Sequence, residues 1–155
     1  MGKRIRVTVG TDTREYGEGV TYGEIAAEYQ NDYEYDIILA QKGGKLAELR
    51  KTIREDCTVA FLTTAAGSGH KTYERGAILL MLRAFYAVAD TEKLCNIFIR
   101  HSFGDSVYCE ADGIEVTEAL LGQVEQYMKE LVGKDLPFEK RSVDTSKALK
   151  LFEQN

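Results

Sequence analysis

One stretch decides the fold of this chain, TREYGEGVTYGEIAAEYQNDYEYDIILAQKGGKLAELRKTIREDCTVAFLT at residues 13–63. A helix start lies near its beginning, because Thr21 can cap a helix and Glu24, three residues later, can complete the reciprocal capping box. These two signals predict a short helix over residues 22–29.

Strand signals surround this helix. Residues 4–9 alternate between polar and apolar side chains, which is the period of a strand with one buried face. Residues 36–41 and 57–63 are apolar runs typical of buried strands, and Gly43-Gly44 indicates a turn with positive φ. The first strand is expected to open a hairpin, so the order strand, strand, helix, strand, strand predicts a β-grasp domain.

The second half of the chain shows a different pattern. Residues 73–89 predict a helix that is apolar almost all round and is therefore buried. Two strands, at residues 96–100 and 106–111, are expected to pair with each other. An amphipathic helix is expected to begin at Thr117, where apolar side chains start to recur at three- and four-residue spacing.

The C-terminal pattern adds a strand at residues 138–143 and a last helix capped by Asp144. The glycines at residues 67–69 mark the clearest break in the chain. The sequence therefore predicts the α+β class, with a β-grasp (ubiquitin-like) domain at residues 1–65 and a small α+β domain at residues 66–155.

These patterns also predict two hydrophobic cores. The first is expected to contain Ile5, Val7, Ile38, Val59 and Phe61. The second is expected to contain Ile78, Leu82, Val124, Met128 and Phe152.

The composition limits the function. A formal net charge of −5 argues against broad, sequence-independent binding of a polyanion, because such binding depends on Lys and Arg neutralising phosphates. The three cysteines have no CxxC spacing, so we expect neither a disulfide framework nor a zinc ribbon, and a reducing cytoplasm fits best. No apolar run approaches the ~20 residues that span a bilayer, so we expect no membrane association.

One segment lies where a phosphate-binding loop would lie, between a predicted strand and a predicted helix: GSGHKT at residues 67–72. The full pattern requires glycines where this chain has Ala65 and His70, so an interdomain linker is favoured. His70 and Glu74 are four residues apart but are too few ligands for a metal. We therefore predict no metal site and no catalytic residue in this chain.

A basic stretch stands out in this acidic chain. Its five cations are interrupted only by Glu48, and they are Lys42, Lys45, Arg50, Lys51 and Arg54. Such a stretch can meet RNA phosphates or an acidic surface of another domain, although a solvated face is the commoner explanation. We predict these five residues as a site for RNA or a protein partner.

Several short motifs resemble known families. EGVT at residues 18–21, EIA at 24–26 and GKL at 44–46 resemble the TGS domain at the front of threonyl-tRNA synthetases. LPFE at residues 136–139 and ALKLF at 148–152 resemble the domain that follows it there, which removes wrongly attached amino acids. The resemblance covers nearly the whole chain and implies a TGS domain followed by an editing-like domain.

The chain departs from the editing family at its hydrolytic residues. The family's H-x3-H pair aligns with Arg75 and Leu79, and its second metal-like cluster would fall after Phe152, so an editing deacylase is disfavoured. Residues 56–64 and 69–73 look more like a bacterial group of uridine kinase-like nucleoside kinases. In that group the same two domains precede a P-loop kinase domain.

This second resemblance implies a non-catalytic, N-terminal accessory or regulatory region of a uridine kinase-like protein. ATP and Mg²⁺ would belong only to the missing kinase domain, which would be the main partner, with RNA or a small regulatory ligand as further partners. Two alternatives stay open: a fragment of a threonyl-tRNA synthetase or aminoacyl-tRNA editing deacylase, and a freestanding TGS-type RNA-binding module. The deacylase requires metal-ligand histidines on the long helix, and the module requires a contiguous basic surface.

Overall fold

The structure is a computed structural model that describes residues 4–90, 92–94, 96–104 and 106–152, with only the backbone of Phe152. By its internal contacts the chain divides into two units, residues 1–80 and 81–155, and the division falls inside one long helix. The domain boundary that the sequence places after residue 65 stays a prediction. The α+β class is confirmed, because a five-stranded sheet and four α-helices are present among the described residues.

The first unit is built on a five-stranded sheet. Its strands are β1 (Arg4–Val9), β2 (Asp12–Gly17), β3 (Ile37–Lys42), β4 (Lys45–Glu48) and β5 (Cys57–Thr63). The strand order is β2-β1-β5-β3-β4, in which β1 and β5 run parallel and the other neighbours run antiparallel. This is a β-grasp-like sheet. The sequence analysis did not predict β4.

The helix of the first unit, α1 (Tyr22–Tyr29), begins with the predicted capping box. The Thr21 hydroxyl accepts a hydrogen bond from the Glu24 amide at 3.1 Å, and the Glu24 carboxylate accepts one from the Thr21 amide at 2.7 Å. The two bonds satisfy backbone donors that the helix itself cannot satisfy. A 3₁₀ turn, Gln30–Asp32, follows α1.

The core of the first unit lies between α1 and the sheet. It contains the predicted Ile5, Val7, Val59 and Phe61, together with Ile25 of α1. A cluster of this kind is what an amphipathic helix forms when it covers one face of a sheet.

The prediction for Ile38 is wrong, because β3 carries a bulge. The pairing of β3 with β5 shifts register between Ile37 and Leu39. A one-residue shift moves the following side chains to the opposite face of a strand. Ile37 and Ala40, three residues apart, therefore both belong to the core against α1, and Ile38 is only partly buried.

The second half of the chain contains one hairpin and three helices. They are α2 (Gly67–Val88), β6 (Asn96–Phe103), β7 (Ser106–Asp112), α3 (Glu118–Gly133) and α4 (Thr145–Phe152). β6 and β7 pair antiparallel, as predicted, and the turn contains Gly104 at φ 60°. Thr117 caps α3, its hydroxyl accepting a hydrogen bond from the Leu120 amide at 3.2 Å. α4 begins directly after Asp144, as predicted.

Two predictions for α2 are wrong. The helix begins at Gly67 and not near Tyr73, so the glycines at residues 67–69 form its first turn and are not a linker. The helix is also not buried all round, since Tyr73 is 62% exposed and Leu79 is 55% exposed. Its buried residues are Gly69 in the first turn and Ala84 and Phe85 in the C-terminal part.

The core of the second unit contains Ala84, Phe85, Ala89, Leu94, Ile97 and Val124. Of the predicted members, Val124 is buried, Leu82 and Met128 are partly buried beside the cluster, and Ile78 lies outside it. The prediction for the Phe152 side chain falls outside the described residues.

The predicted strand at residues 138–143 does not form. These residues have no regular structure, and Phe138 and Val143 are both more than half exposed. A strand requires a partner for its backbone groups, and the described part of the second unit supplies only the β6–β7 pair. Among the described residues, no helix is long and apolar enough to cross a membrane.

Candidate functional site

The basic stretch lies on β4 and on the segment that connects β4 to β5. Three backbone hydrogen bonds fix this segment to the start of α1: Tyr22 N–H donates to Lys51 O at 3.0 Å, Gly23 N–H to Leu49 O at 2.7 Å, and Ile53 N–H to Val20 O at 2.8 Å. The Ile53 side chain is 1% exposed and anchors the segment in the core. The backbone of this segment is therefore fixed, and its charged side chains are exposed.

Two of the five cations are paired with carboxylates. Lys42 Nζ lies 2.7 Å from Glu55 Oε1, and the Glu55 carboxylate raises the pKa of Lys42. Arg50 Nε lies 3.1 Å from Glu48 Oε2. These contacts neutralise part of the charge that the sequence suggests for the stretch.

The other three cations, Lys45, Lys51 and Arg54, are exposed. Within residues 4–90, no salt bridge or side-chain hydrogen bond involves them. We call these three residues the cationic surface. They are the part of the predicted site that is available to bind a ligand.

The register shows how the cationic surface is arranged. Lys45 is the cross-strand partner of Lys42, beside the turn at Gly43-Gly44. Lys42 pairs with Glu55, the residue that follows Arg54. This pair brings the chain next to Arg54 to the same end of β4. Lys51 follows the other end of β4. The structure thus places the cations at both ends of one short strand, and does not bring all five together.

One interaction beside this site was missed by the sequence analysis. Asp56 accepts hydrogen bonds from the backbone amide of Arg6 at 2.9 Å and from its Nε at 3.0 Å. The contact arises because β1 and β5 pair in parallel, with Val7 opposite Cys57. Residues 50 positions apart in sequence give no local signal, so only the sheet topology could reveal this pair.

The positions that align with the editing histidines lie on an exposed face of α2. Arg75 and Leu79 are one helical turn apart, and both are exposed. Neither a guanidinium nor an aliphatic side chain can serve as a zinc ligand. His70 and Glu74 are also one turn apart on α2, and within the described ranges no group of three or more His, Cys, Asp or Glu could hold a metal ion.

The glycine-containing start of α2 is explained by packing. Gly69 is buried, and a Cβ added there would overlap with the carbonyl oxygen of Thr63, the last residue of β5. The His70 amide already donates to Ala66 O at 2.7 Å. A close approach of helix to strand therefore accounts for Gly69 without a phosphate.

The β6–β7 hairpin has a polar and aromatic cluster that the sequence analysis did not single out. Arg100 Nε lies 2.6 Å from Glu110 Oε2, and its guanidinium lies 4.4 Å from the centre of the Phe98 ring. The rings of His101 and Tyr108 are 5.3 Å apart. A shallow groove of about 400 Å³ borders this cluster and includes Asp112. Its cation is already paired, so the groove has no free charge to attract an anion.

The comparisons with known proteins point to one class of enzyme. No protein-family model matches the chain. It is similar to the threonine–tRNA ligase of Desulforamulus reducens, 24% identical over 142 residues that cover 91% of this chain and 22% of the relative. The ligase of Symbiobacterium thermophilum is 25% identical over 154 residues, covering 98% and 23%, and that of Chloroherpeton thalassium is 27% identical over 142 residues, covering 91% and 21%.

The chain therefore spans about a fifth of the length of these curated relatives. They support the TGS-type assignment of the first unit. They favour the alternative of a threonyl-tRNA synthetase fragment over the uridine kinase context, which they do not support. A crystal structure of ATBAG1 in complex with HSP70 covers 89% of this chain and 83% of its own, at 14% identity and a TM-score of 0.35, which is too low to indicate a shared fold.

Proposed function

We propose that this chain is the N-terminal accessory region of a threonyl-tRNA synthetase-like protein, and that it carries out no reaction by itself. The observation that supports this most is the extent of the match. Relatives named threonine–tRNA ligases align with 90% or more of the chain, through both units, while the chain covers little more than a fifth of them. A region of this size would act within a larger polypeptide.

The side chains of α2 argue against hydrolysis by this chain. Removing an amino acid from tRNA requires a positioned base or metal to activate water at the ester. Arg75 and Leu79 supply neither. The ring of His101, the other histidine besides His70, lies 5.3 Å from the ring of Tyr108, at a tilt. We therefore assign this chain a binding or structural role.

A deacylation assay tests this proposal. The chain is incubated with tRNA that carries a wrong amino acid, and release of the amino acid is compared with a buffer control. We expect no turnover above buffer. Turnover that His70→Ala abolishes would overturn the proposal, and circular dichroism of that variant shows whether the chain has remained folded.

A second candidate is the accessory region of a uridine kinase-like protein. One feature favours it: the editing histidines are replaced at Arg75 and Leu79, as they are in the kinase group that residues 56–64 and 69–73 resemble. In this case too the chain would catalyse no reaction, and ATP and Mg²⁺ would act in another domain. The reading frame beyond residue 155 decides: a P-loop there supports the kinase, and a ligase domain supports the synthetase.

A further inference from the structure

We infer that the open edge of β4 binds an extended segment of another protein, in which acidic and apolar residues alternate. The segment would pair antiparallel with β4 and extend the five-stranded sheet. In this mode of peptide binding, backbone hydrogen bonds supply affinity and alternate side chains supply specificity. The inference goes beyond the proposed function, and it rests on the pairing, exposure and charge of residues in the first unit.

The backbone of β4 has groups that can pair with an added strand. The strand lies at one end of the order β2-β1-β5-β3-β4, and among the described residues no strand lies on its other side. The turn between β3 and β4 has two residues, so Lys45 belongs to the pair that closes the hairpin and directs its backbone towards β3. Leu46, the next residue, directs its N–H and C=O towards the open edge. Glu48 has the same orientation, in agreement with the 3.0 Å hydrogen bond that its carbonyl oxygen accepts from the Lys51 amide.

The side chains of β4 alternate between a cationic face and an apolar face. Ala47 packs against the core that α1 covers, which places Lys45, two residues earlier, on the same face of the sheet. Leu46 therefore lies on the opposite face, where it is 50% exposed. Leu39 of β3 also lies on that face, since it is 6% exposed but lies outside the core cluster against α1. An added strand would meet a lysine on one face and an apolar surface on the other.

The cations around β4 define the chemistry of the partner. Lys45 and Arg54 lie near the end of β4 that adjoins the turn, and Lys51 follows the other end. A segment that lies along β4 would therefore meet positive charge at both of its ends. Opposite charges on neighbouring strands stabilise the pairing of those strands, and like charges destabilise it. The expected partner therefore has acidic residues on the face of Lys45 and apolar residues on the face of Leu46.

A second copy of this chain fits the edge poorly. Lysine on an edge strand opposes pairing between identical strands. In an antiparallel pair of two β4 strands centred on Leu46, Lys45 of one copy would lie diagonally across from Lys45 of the other, and Lys42 lies beside it on β3. The cluster of lysines thus favours an acidic strand over a second β4.

A peptide of alternating Glu and Val tests the inference. About eight residues, at ~3.3 Å per residue, are long enough to lie along β4 and reach the cations at both ends. Binding to the full chain is measured by the fluorescence anisotropy of a label on the peptide. In the antiparallel arrangement the Val residues direct their backbone groups to Leu46, so N-methylation of the Val residues should abolish binding. N-methylation of the Glu residues is the matched control, has the same charge, and should change the affinity less than about twofold.

Variants of the chain test the charge. Lys45→Glu should weaken binding of the Glu–Val peptide at least about threefold and should allow binding of a peptide of alternating Lys and Val. The matched control is Lys71→Glu, an exposed residue on α2 with the same change of charge, and it should alter the affinity less than about twofold. Circular dichroism checks that both variants are folded. If Lys45→Glu unfolds, Lys45→Gln, which removes the charge without reversal, replaces it and should also weaken binding of the Glu–Val peptide.

Three outcomes of the binding experiment would overturn the inference: no binding of the Glu–Val peptide at about 1 mM chain, equal affinity of the two methylated peptides, or displacement of the peptide by poly-glutamate as readily as by unlabelled peptide. The last result would mean that the surface attracts any polyanion without strand pairing. Sedimentation of the chain alone adds a fourth, since a dimer that the peptide dissociates would make a second copy the occupant of the edge. The deacylation assay measures turnover only, so these results leave the proposed function unaffected.

Discussion

The carbonyl oxygen of Thr63 occupies the space that a Cβ on Gly69 would need. Thr63 ends β5, and Gly69 lies in the first turn of α2, so the glycine allows the helix to begin directly against the strand. This relationship explains why a glycine stands in a segment that resembles part of a phosphate-binding loop. The requirement for glycine is steric, because the atom that a Cβ on Gly69 would meet belongs to the backbone of Thr63.

We expect Gly69→Ala to destabilise the chain by about 1–3 kcal/mol, because the added methyl meets a carbonyl oxygen that cannot rotate away. The matched control is Gly76→Ala on the same helix, where a Cβ would find nothing within 4 Å. Alanine there should stabilise by up to about 1 kcal/mol through helix propensity. Urea unfolding followed by circular dichroism measures both, and equal effects would contradict the steric explanation.

The bulge in β3 gives a test with two identical residue types. Ile37→Ala removes a side chain that is 6% exposed and packed in the core, and it should cost about 2–5 kcal/mol. Ile38→Ala, at a partly buried position beyond the core cluster, should cost clearly less. If Ile38→Ala proved the more damaging change in urea unfolding, the register of β3 on β5 would be wrong.

The sequence predicted features that depend on neighbours along the chain. The capping box at Thr21 and Glu24, the turn at Gly43-Gly44 and the helix start at Thr117 all involve residues within a few positions of each other, and all are present. The side of β3 that faces the core could not be predicted in this way, because the bulge is defined by the pairing with β5. The alternation of residues alone assigns Ile38 to the wrong face.

The candidate site shows the same limit. The five cations could be listed from the sequence, but their partners could not. Glu55 lies 13 positions from Lys42, and Asp56 lies 50 from Arg6, so the pairing depends on how the strands align. The start of α2 was missed because glycine was read as a helix breaker, whereas here close packing against β5 requires it.

The cap of α1 is expected to stabilise the first unit. Thr21→Ala removes the hydroxyl that accepts the Glu24 amide, and should cost about 0.5–2 kcal/mol. Thr21→Ser keeps the hydroxyl and should cost little. A similar loss in both variants, measured by urea unfolding, would show that the methyl group and not the cap carries the effect.

The last prediction concerns the dependence of stability on pH. The Tyr29 hydroxyl donates a hydrogen bond to Asp12 Oδ2 at 2.8 Å, and Arg14 Nε donates to the same oxygen at 2.8 Å. These contacts hold the pKa of Asp12 below its usual value of 3.8, and the hydrogen bond from Tyr29 has the larger effect. A carboxyl with a lowered pKa in the folded chain stabilises it above the unfolded pKa. This contribution is lost as the pH falls through the folded pKa.

The tyrosine has the opposite dependence. Burial and the adjacent Asp12 carboxylate raise the pKa of Tyr29 above its usual value of 10. The folded chain therefore holds the hydroxyl proton of Tyr29 more tightly than the unfolded chain does. Stability from this group is therefore present below pH 10 and decreases as the pH rises above it.

Tyr29→Phe should weaken both dependences. At pH 7 the loss of the hydroxyl's hydrogen bond should cost about 1 kcal/mol. Because Asp12 then loses its main partner, its pKa should rise towards 3.8, and the decrease in stability between pH 5 and pH 2 should become smaller. Tyr33→Phe is the control, since Tyr33 is partly buried against the same core and its hydroxyl makes no hydrogen bond within residues 4–90. Free energies of unfolding in urea at several pH values measure these effects, and parallel pH profiles for the Tyr29→Phe variant and the unmodified chain would disprove the role of this bond.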